Sequence, residues 1–158
     1  LHVRSRRQRQ MCIRDSHYIV RTSWVIGSGN NFVRTMASLA EKGVDPKVVD
    51  DQRGRLTFAT EIARLIRTLV ETRPSFGVYN LTSEGEVVTW ADVARRVFEL
   101  AGHDPARVTG VSTEQYFASA TSPVAPRPLN SVLDLTRVHG IGFRPRAGDD
   151  LLREYLSP

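Results

Sequence analysis

Apolar positions along the chain change period several times, and each change marks an element. His17 to Ile26, HYIVRTSWVI, is rich in β-branched and aromatic residues and predicts one strand. Gly27-Ser28-Gly29 stops it. Asn30 or Asn31 can cap the helix that follows, in which Phe32, Met36 and Leu39 share a face at i, i+4, i+7. Lys42-Gly43 ends that helix, Lys47 to Asp50 predicts a short strand, and Asp51 to Leu56 a polar loop. Thr57 can cap a second helix with a stripe of Phe58, Ile62, Leu65, Ile66 and Leu69, closed by Arg73-Pro74. Val78 to Leu81 is a further strand. Thr89 and Asp92, spaced as a capping box, start a third helix with a buried face of Trp90, Val93, Val97 and Phe98, ended by Gly102. Val108 to Val111 predicts a strand and Thr113 to Ala118 a short helix. Residues 120–130, with Pro123, Pro126 and Pro128, form a loop, and Asp149 to Leu156 a last helix.

This order is that of an α/β chain. A complete doubly wound domain would carry several βα units and a nucleotide-binding first turn, and these are missing, which points to the C-terminal piece of a larger enzyme. Hydrophobic residues make up 41% and charged residues 25% of the 158, so wholesale disorder is not expected. No apolar run approaches the roughly 18 residues of a membrane span, and the lone Cys12 excludes an internal disulfide framework. A cytoplasmic protein without a membrane partner is the expectation.

The net charge of +5 suggests nucleic acid, but its distribution argues otherwise. Arg4, Arg6, Arg7, Arg9 and Arg14 lie within residues 1–16, which leaves 17 basic against 16 acidic residues in the rest. An Arg-rich arm would neutralise phosphates, yet no aromatic interleaves the arginines for base stacking. Residues 1–16 are therefore expected to be a disordered or non-native tail, since RRQRQMCIRDS looks like translated vector or adapter sequence. The fold is expected to occupy 17–158, with no nucleic-acid partner.

Candidate chemistry is sparse. Gly27-Ser28-Gly29 follows a strand and opens a helix as a dinucleotide fingerprint does, but Phe32 replaces the third glycine. The turn is either a plain strand-to-helix connection or a helix N-terminus, with Asn30 and Asn31, that meets a phosphate. His2, His17, His103 and His139 have no metal-ligand spacing. No Gly-x-Ser-x-Gly elbow exists. Nor does any Tyr-x-x-x-Lys pair: Tyr18, Tyr79 and Tyr116 are followed four residues on by Thr22, Ser83 and Ala120, Tyr155 by no lysine, and the only lysines are Lys42 and Lys47. Three features suit a ligand. Trp24 lies near the carboxyl end of a strand, Asp51-Gln52-Arg53-Gly54 offers amide and guanidinium donors, and Pro126-Arg127-Pro128 holds an arginine on a stiff loop. Each also has a plainer reading, as core residue, solvated turn and surface linker.

In order, RTSWVIG at 21–27, GNNFVRTM at 29–36, VVDDQRG at 48–54, YNL at 79–81, TWADVA at 89–94 and RPLNSVLD at 127–134 resemble the dTDP-4-dehydrorhamnose reductases, extended short-chain dehydrogenase/reductases. The resemblance covers about 17–158 and the C-terminal half of such an enzyme. It implies an α/β fold made of the last Rossmann elements plus a small mixed α/β substrate-binding domain. It also implies reduction of the C4 ketone of dTDP-4-dehydro-6-deoxy-L-mannose to dTDP-L-rhamnose by NADPH, with NADH the alternative.

By the same resemblance the absent N-terminal half supplies the glycine-rich turn and the Tyr-x-x-x-Lys pair, so no catalytic residue is expected in this chain and the chain alone is expected to be inactive. Thr22 and Ser23 are implied on the cofactor side of the junction between nicotinamide and sugar, and Trp24 on the substrate side. Asn31 is implied near the diphosphate, Gln52 and Arg53 near the nucleotide, and Arg127 on a loop over the substrate. A homodimer and fusion to a 3,5-epimerase domain are further implied partners. A metal occurs at the dimer contact of some relatives, but no ligand carries over. Relatives often have Gly-x-Pro-Thr where this chain has Gly54-Arg55-Leu56-Thr57. The alternative within the fold is a non-catalytic relative, like the regulatory subunit of methionine adenosyltransferase.

Overall fold

The computed structural model describes residues 16–121 and 123–157. The expected tail at 1–16 thus falls almost wholly outside the described residues. Two hydrophobic clusters organise the rest. One gathers Leu65, Leu69, Tyr79, Leu81, Leu135, Val138 and Phe143 around a parallel pair formed by β1 (Tyr18–Thr22) and β6 (Gly77–Leu81). The other gathers Ile26, Val33, Met36, Phe58, Val93, Val97, Phe98, Leu151 and Leu152 between helices α1 (Phe32–Glu41), α3 (Trp90–Leu100) and α6 (Gly148–Leu156). An α/β chain with one core under a Rossmann-like strand pair and a second under a smaller helical layer matches the expected class.

The helices form where the period predicts them. Asn31 caps α1 by accepting from the Arg34 N–H at 3.2 Å. Thr89 and Asp92 close the predicted capping box of α3. Helix α2 (Ala59–Thr72) buries Leu65 and Leu69, but Ile66 is 48% exposed, because it falls outside the stripe that faces β6. The charged Glu61 is buried in the same helix. Its carboxylate accepts from the Arg64 guanidinium at 2.6 and 3.1 Å and from the Arg146 N–H at 3.1 Å, as a buried charge requires.

Short pairings depart from the sequence reading. The single strand expected over His17–Ile26 is broken. β1 ends at Thr22, β2 is Val25–Ile26, and Trp24 between them has φ +48°. The break lets each half find a different partner: β1 pairs with β6, and β2 with β5 (Thr57–Phe58). Thr57 is therefore strand, not a helix cap. Its hydroxyl donates to the Ser23 carbonyl at 2.5 Å, its N–H donates to the Trp24 carbonyl at 3.0 Å, and α2 starts after Phe58 without a side-chain cap. The loop expected at Asp51–Leu56 contains β4 (Arg53–Gly54), which pairs antiparallel with β7 (Val88–Thr89). Leu56 is buried, and its carbonyl accepts from the Ser83 N–H at 2.8 Å. β3 (Lys47–Val49) pairs parallel with β8 (Thr109–Val111), followed by α4 (Thr113–Phe117). A five-residue helix that the sequence did not announce, α5 (Thr136–Gly140), packs Val138 under β6.

Candidate functional site

Trp24 sits where the chain kinks. A positive φ at a residue with a large side chain costs on the order of 1–3 kcal/mol, and the two Thr57 hydrogen bonds hold it there. The kink lays the indole on Trp90 at the start of α3, with ring centroids 3.9 Å apart and planes 20° apart. Phe32 from the first turn of α1 meets Trp90 at 4.6 Å. Gly54 of β4 lies against the other side of Trp24, where a Cβ would stand 2.8 Å from the ring. Three elements thus converge through aromatic contacts.

Beside this cluster opens a cavity of about 310 Å³, lined among others by Phe32, Gln52, Trp90, Tyr116, Phe117 and Arg127. It falls in the usual range of small-molecule sites, apolar walls with a few polar groups. Gln52, just after β3, is only 5% exposed. Its Nε2 donates to the Thr113 hydroxyl oxygen at 2.9 Å. Asp51 accepts from the Thr113 hydroxyl at 2.6 Å and from the Thr113 N–H at 2.8 Å, and these two bonds hold its carboxyl below the usual carboxylate range.

The structure brings Gln52 and Arg127 to one cavity although they are far apart in sequence. Trp24 stands behind Trp90, one ring away. Arg53 acts differently. Its side chain is exposed, and its backbone pins the far end of the proline-rich loop: the Arg53 N–H donates to the Leu129 carbonyl and the Ser131 N–H to the Arg53 carbonyl, both at 2.8 Å. Thr22 ends β1 and Ser23 follows it, its Oγ buried without a hydrogen-bond partner among the described residues.

Asn31 is held within the protein. Its Nδ2 reaches the Gly27 and Gly29 carbonyls and the Tyr155 hydroxyl at 2.8–2.9 Å while Oδ1 caps α1. The Tyr155 hydroxyl donates to the Gly27 carbonyl at 2.6 Å and accepts from Arg34 Nε at 2.8 Å. The last helix thus fastens the turn before α1, and that turn offers a ligand its backbone rather than the Asn31 amide.

Sequence reasoning placed Phe32 and Trp90 in the core, where they are half-buried cavity walls, and did not single out Tyr116, Phe117 or Thr113. The signal available for Thr113, Tyr116 and Phe117 was their place two, five and six residues past the predicted strand end at Val111. A second cavity of about 450 Å³, lined by Arg55, Ser83, Glu84, Asp92, Arg96 and Asp149 among others, touches none of the expected site residues. Among the described residues no group of three or more His, Cys, Asp or Glu could hold a metal, and no helix is long and apolar enough to cross a membrane.

The parallel β1/β6 pair, joined to a small layer with an aromatic cavity, is an α/β arrangement of the class of the extended short-chain dehydrogenase/reductases, covering part of one. The sequence pattern of the RmlD substrate binding domain matches residues 6–157, and the chain belongs to that family. The spore coat polysaccharide biosynthesis protein SpsK of Bacillus subtilis is 37% identical over 140 residues, 88% of this chain and 46% of its own length. The dTDP-4-dehydrorhamnose reductase of Streptomyces griseus is 37% identical over 137 residues, 83% of this chain and 43% of its own. Among solved structures, the dTDP-4-dehydrorhamnose reductase of Bacillus anthracis in complex with NADP superposes with a TM-score of 0.80 at 29% identity, over 94% of this chain and 50% of that one. The chain spans about half the length of the curated relatives it matches.

Proposed function

We propose that the chain is the nucleotide-sugar side of an NADPH-dependent dTDP-4-dehydrorhamnose reductase. The observation that carries this reading is the convergence of Gln52 and Arg127 on a cavity walled by Phe32, Trp90, Tyr116 and Phe117. A pyrimidine ring suits aromatic walls, and a diphosphate suits a guanidinium on a loop already ordered by prolines and by the Arg53 backbone. Trp24, stacked behind Trp90 and next to Thr22 and Ser23, then stands where the sugar would meet the cofactor. Arg53 sets the height of the Arg127 loop.

The residues present fit one edge of the cofactor. A nicotinamide carboxamide at the carboxyl end of β1 would satisfy the buried Ser23 hydroxyl, with Thr22 beside it. When bound, NADPH supplies the hydride. The developing alkoxide needs a proton donor, and no tyrosine here has a lysine four residues on, so that donor belongs to the part of the enzyme this chain does not span.

The test joins residues 17–158 to the N-terminal half of the B. anthracis relative and follows NADPH oxidation with dTDP-4-dehydrorhamnose. Turnover is expected. Arg127→Ala should raise the KM for the nucleotide sugar by about 10- to 150-fold, the loss of one charge-assisted contact, and leave the KM for NADPH unchanged. A joined enzyme that folds and binds NADPH but does not reduce the keto sugar, or an Arg127 variant that weakens NADPH equally, would refute the assignment.

A further inference from the structure

The orientation of the Gln52 amide follows from its neighbours and has a consequence for what the cavity accepts. Asp51 faces both the N–H and the hydroxyl of Thr113, at 2.8 and 2.6 Å. A carboxylate can only accept, so the single hydroxyl hydrogen of Thr113 goes to Asp51. The Thr113 oxygen is then limited to accepting. The Gln52 atom 2.9 Å from it must be the NH2 group, and the amide cannot be turned round without leaving a donor facing a donor or two acceptors facing each other. Gln52 is 5% exposed and lines the cavity, and its Oε1 takes no hydrogen bond among the described residues yet is not sealed off, so Oε1 is the acceptor it leaves to a ligand there.

We propose that Thr113 is a positioning residue that fixes Gln52 with its carbonyl oxygen toward the cavity, making the site selective for a base with a ring N–H donor. An imide edge, as in uracil or thymine, offers that N–H. Cytosine presents a bare ring nitrogen at the same position and would set acceptor against acceptor at the buried Gln52 amide. The inference rests on reading the cavity as the nucleotide site and goes beyond it by naming what selects the base. The relay is Asp51 to Thr113 to Gln52, and Thr113 stands 61 residues beyond Gln52 in sequence.

The test titrates residues 17–158, joined to the N-terminal half of the B. anthracis relative, with dUDP and dCDP by calorimetry, a pair that differs only in the base edge. Wild type should prefer dUDP by about 5- to 150-fold, the range for leaving one buried polar group unsatisfied. Thr113→Val removes the constraint, so the amide can turn and the preference should fall below about threefold, while Thr113→Ser should restore it. Asp51→Asn gives the sharper readout. Its amide oxygen keeps the Thr113 N–H and its NH2 donates to the Thr113 oxygen. The hydroxyl hydrogen is then released to Gln52, whose amide turns round, and the preference should reverse toward dCDP. A merely structural role for these residues would weaken both nucleotides alike and reverse nothing. Wild-type binding of both without preference, or variants that keep the wild-type ratio, would overturn the relay and leave the nucleotide site standing. Failure of wild type to bind either would overturn both.

Discussion

Gly54 has to be glycine because of Trp24. The indole rests on the backbone of β4, and the missing side chain is what admits it: a Cβ would lie 2.8 Å from one ring carbon and 2.9 Å from another. The ring cannot retreat, since Trp90 is stacked on its other face and Thr57 holds the Trp24 backbone at a positive φ. Gly54→Ala should therefore cost about 1–3 kcal/mol of stability, the range for overpacking, read as a lower denaturant midpoint at unchanged slope. The near-ultraviolet circular dichroism of the stacked indoles should weaken with it. An unchanged midpoint would mean that the indole swings away freely. The sequence showed Gly54 as part of a polar turn and Trp24 as a strand residue. Neither reading contained the other, because their contact depends on a backbone conformation that tryptophan disfavours and only the folded chain imposes. Gln52 and Arg127 were visible as ligand candidates by residue type, as amide and guanidinium donors in loops, but only the ordered resemblance preferred that reading to a solvated turn and a surface linker. Thr113 was not visible, because its role comes from Asp51, brought beside it by the pairing of β3 with β8.

Helices α3 and α6 are joined by charge as well as by their shared core. Arg96 grips Asp149 with two bonds, Nε to Oδ1 at 2.6 Å and Nη2 to Oδ2 at 3.0 Å, and Arg153 adds a third at 2.9 Å. Asp149 lies in the first turn of α6, where a negative charge also suits the helix dipole. The Arg96 contact, opposed by partial burial and helped by Arg153, pulls its carboxyl from 3.8 to about 2. A depressed carboxyl stabilises the fold above its unfolded value and loses that contribution as pH falls toward its folded one. A shift of this size would correspond to about 2.5 kcal/mol in a shielded site, but the Asp149 side chain is 48% exposed, and screening reduces the figure to about 1 kcal/mol. Asp149→Asn should be less stable than wild type by that amount at pH 7, with the gap narrowing from pH 4 down to about 2. Urea melts across that range would show it, and a constant gap would assign the loss to packing. Elements of this length were readable: the stripes and stop signals of α1, α2, α3 and α6 lie within the chain that forms them. The two-residue strands β2, β4, β5 and β7 were not, because each exists only through its partner, and α5 is too short to establish a period.

At the scale of the molecule the two cores differ in how they are enclosed. Helices α1, α3 and α6 surround the smaller layer, whereas β1 pairs with β6 alone among the described residues, so its second edge carries unpaired N–H and C=O groups. Val25, Ile66, Val70 and Phe76, on or beside the elements of the strand pair, are 40% or more exposed, with Val70 at 63%. An open parallel pair with apolar surroundings is a template for further strands, and parallel sheets are normally covered on both faces. The relatives are about twice as long, and we expect their additional half to extend this sheet. The chain produced alone should therefore associate or precipitate in a concentration-dependent manner, and should not oxidise NADPH in the presence of the keto sugar nucleotide, for want of a tyrosine with a lysine partner. Produced together with the N-terminal half of the B. anthracis relative, it should elute as a defined complex with higher soluble yield. Size-exclusion chromatography with light scattering, run on the chain with and without that half, decides the point. A monodisperse monomer at high concentration would mean that the β1 edge is protected within this chain, and turnover by the chain alone would mean that it holds a proton donor other than a tyrosine with a lysine partner.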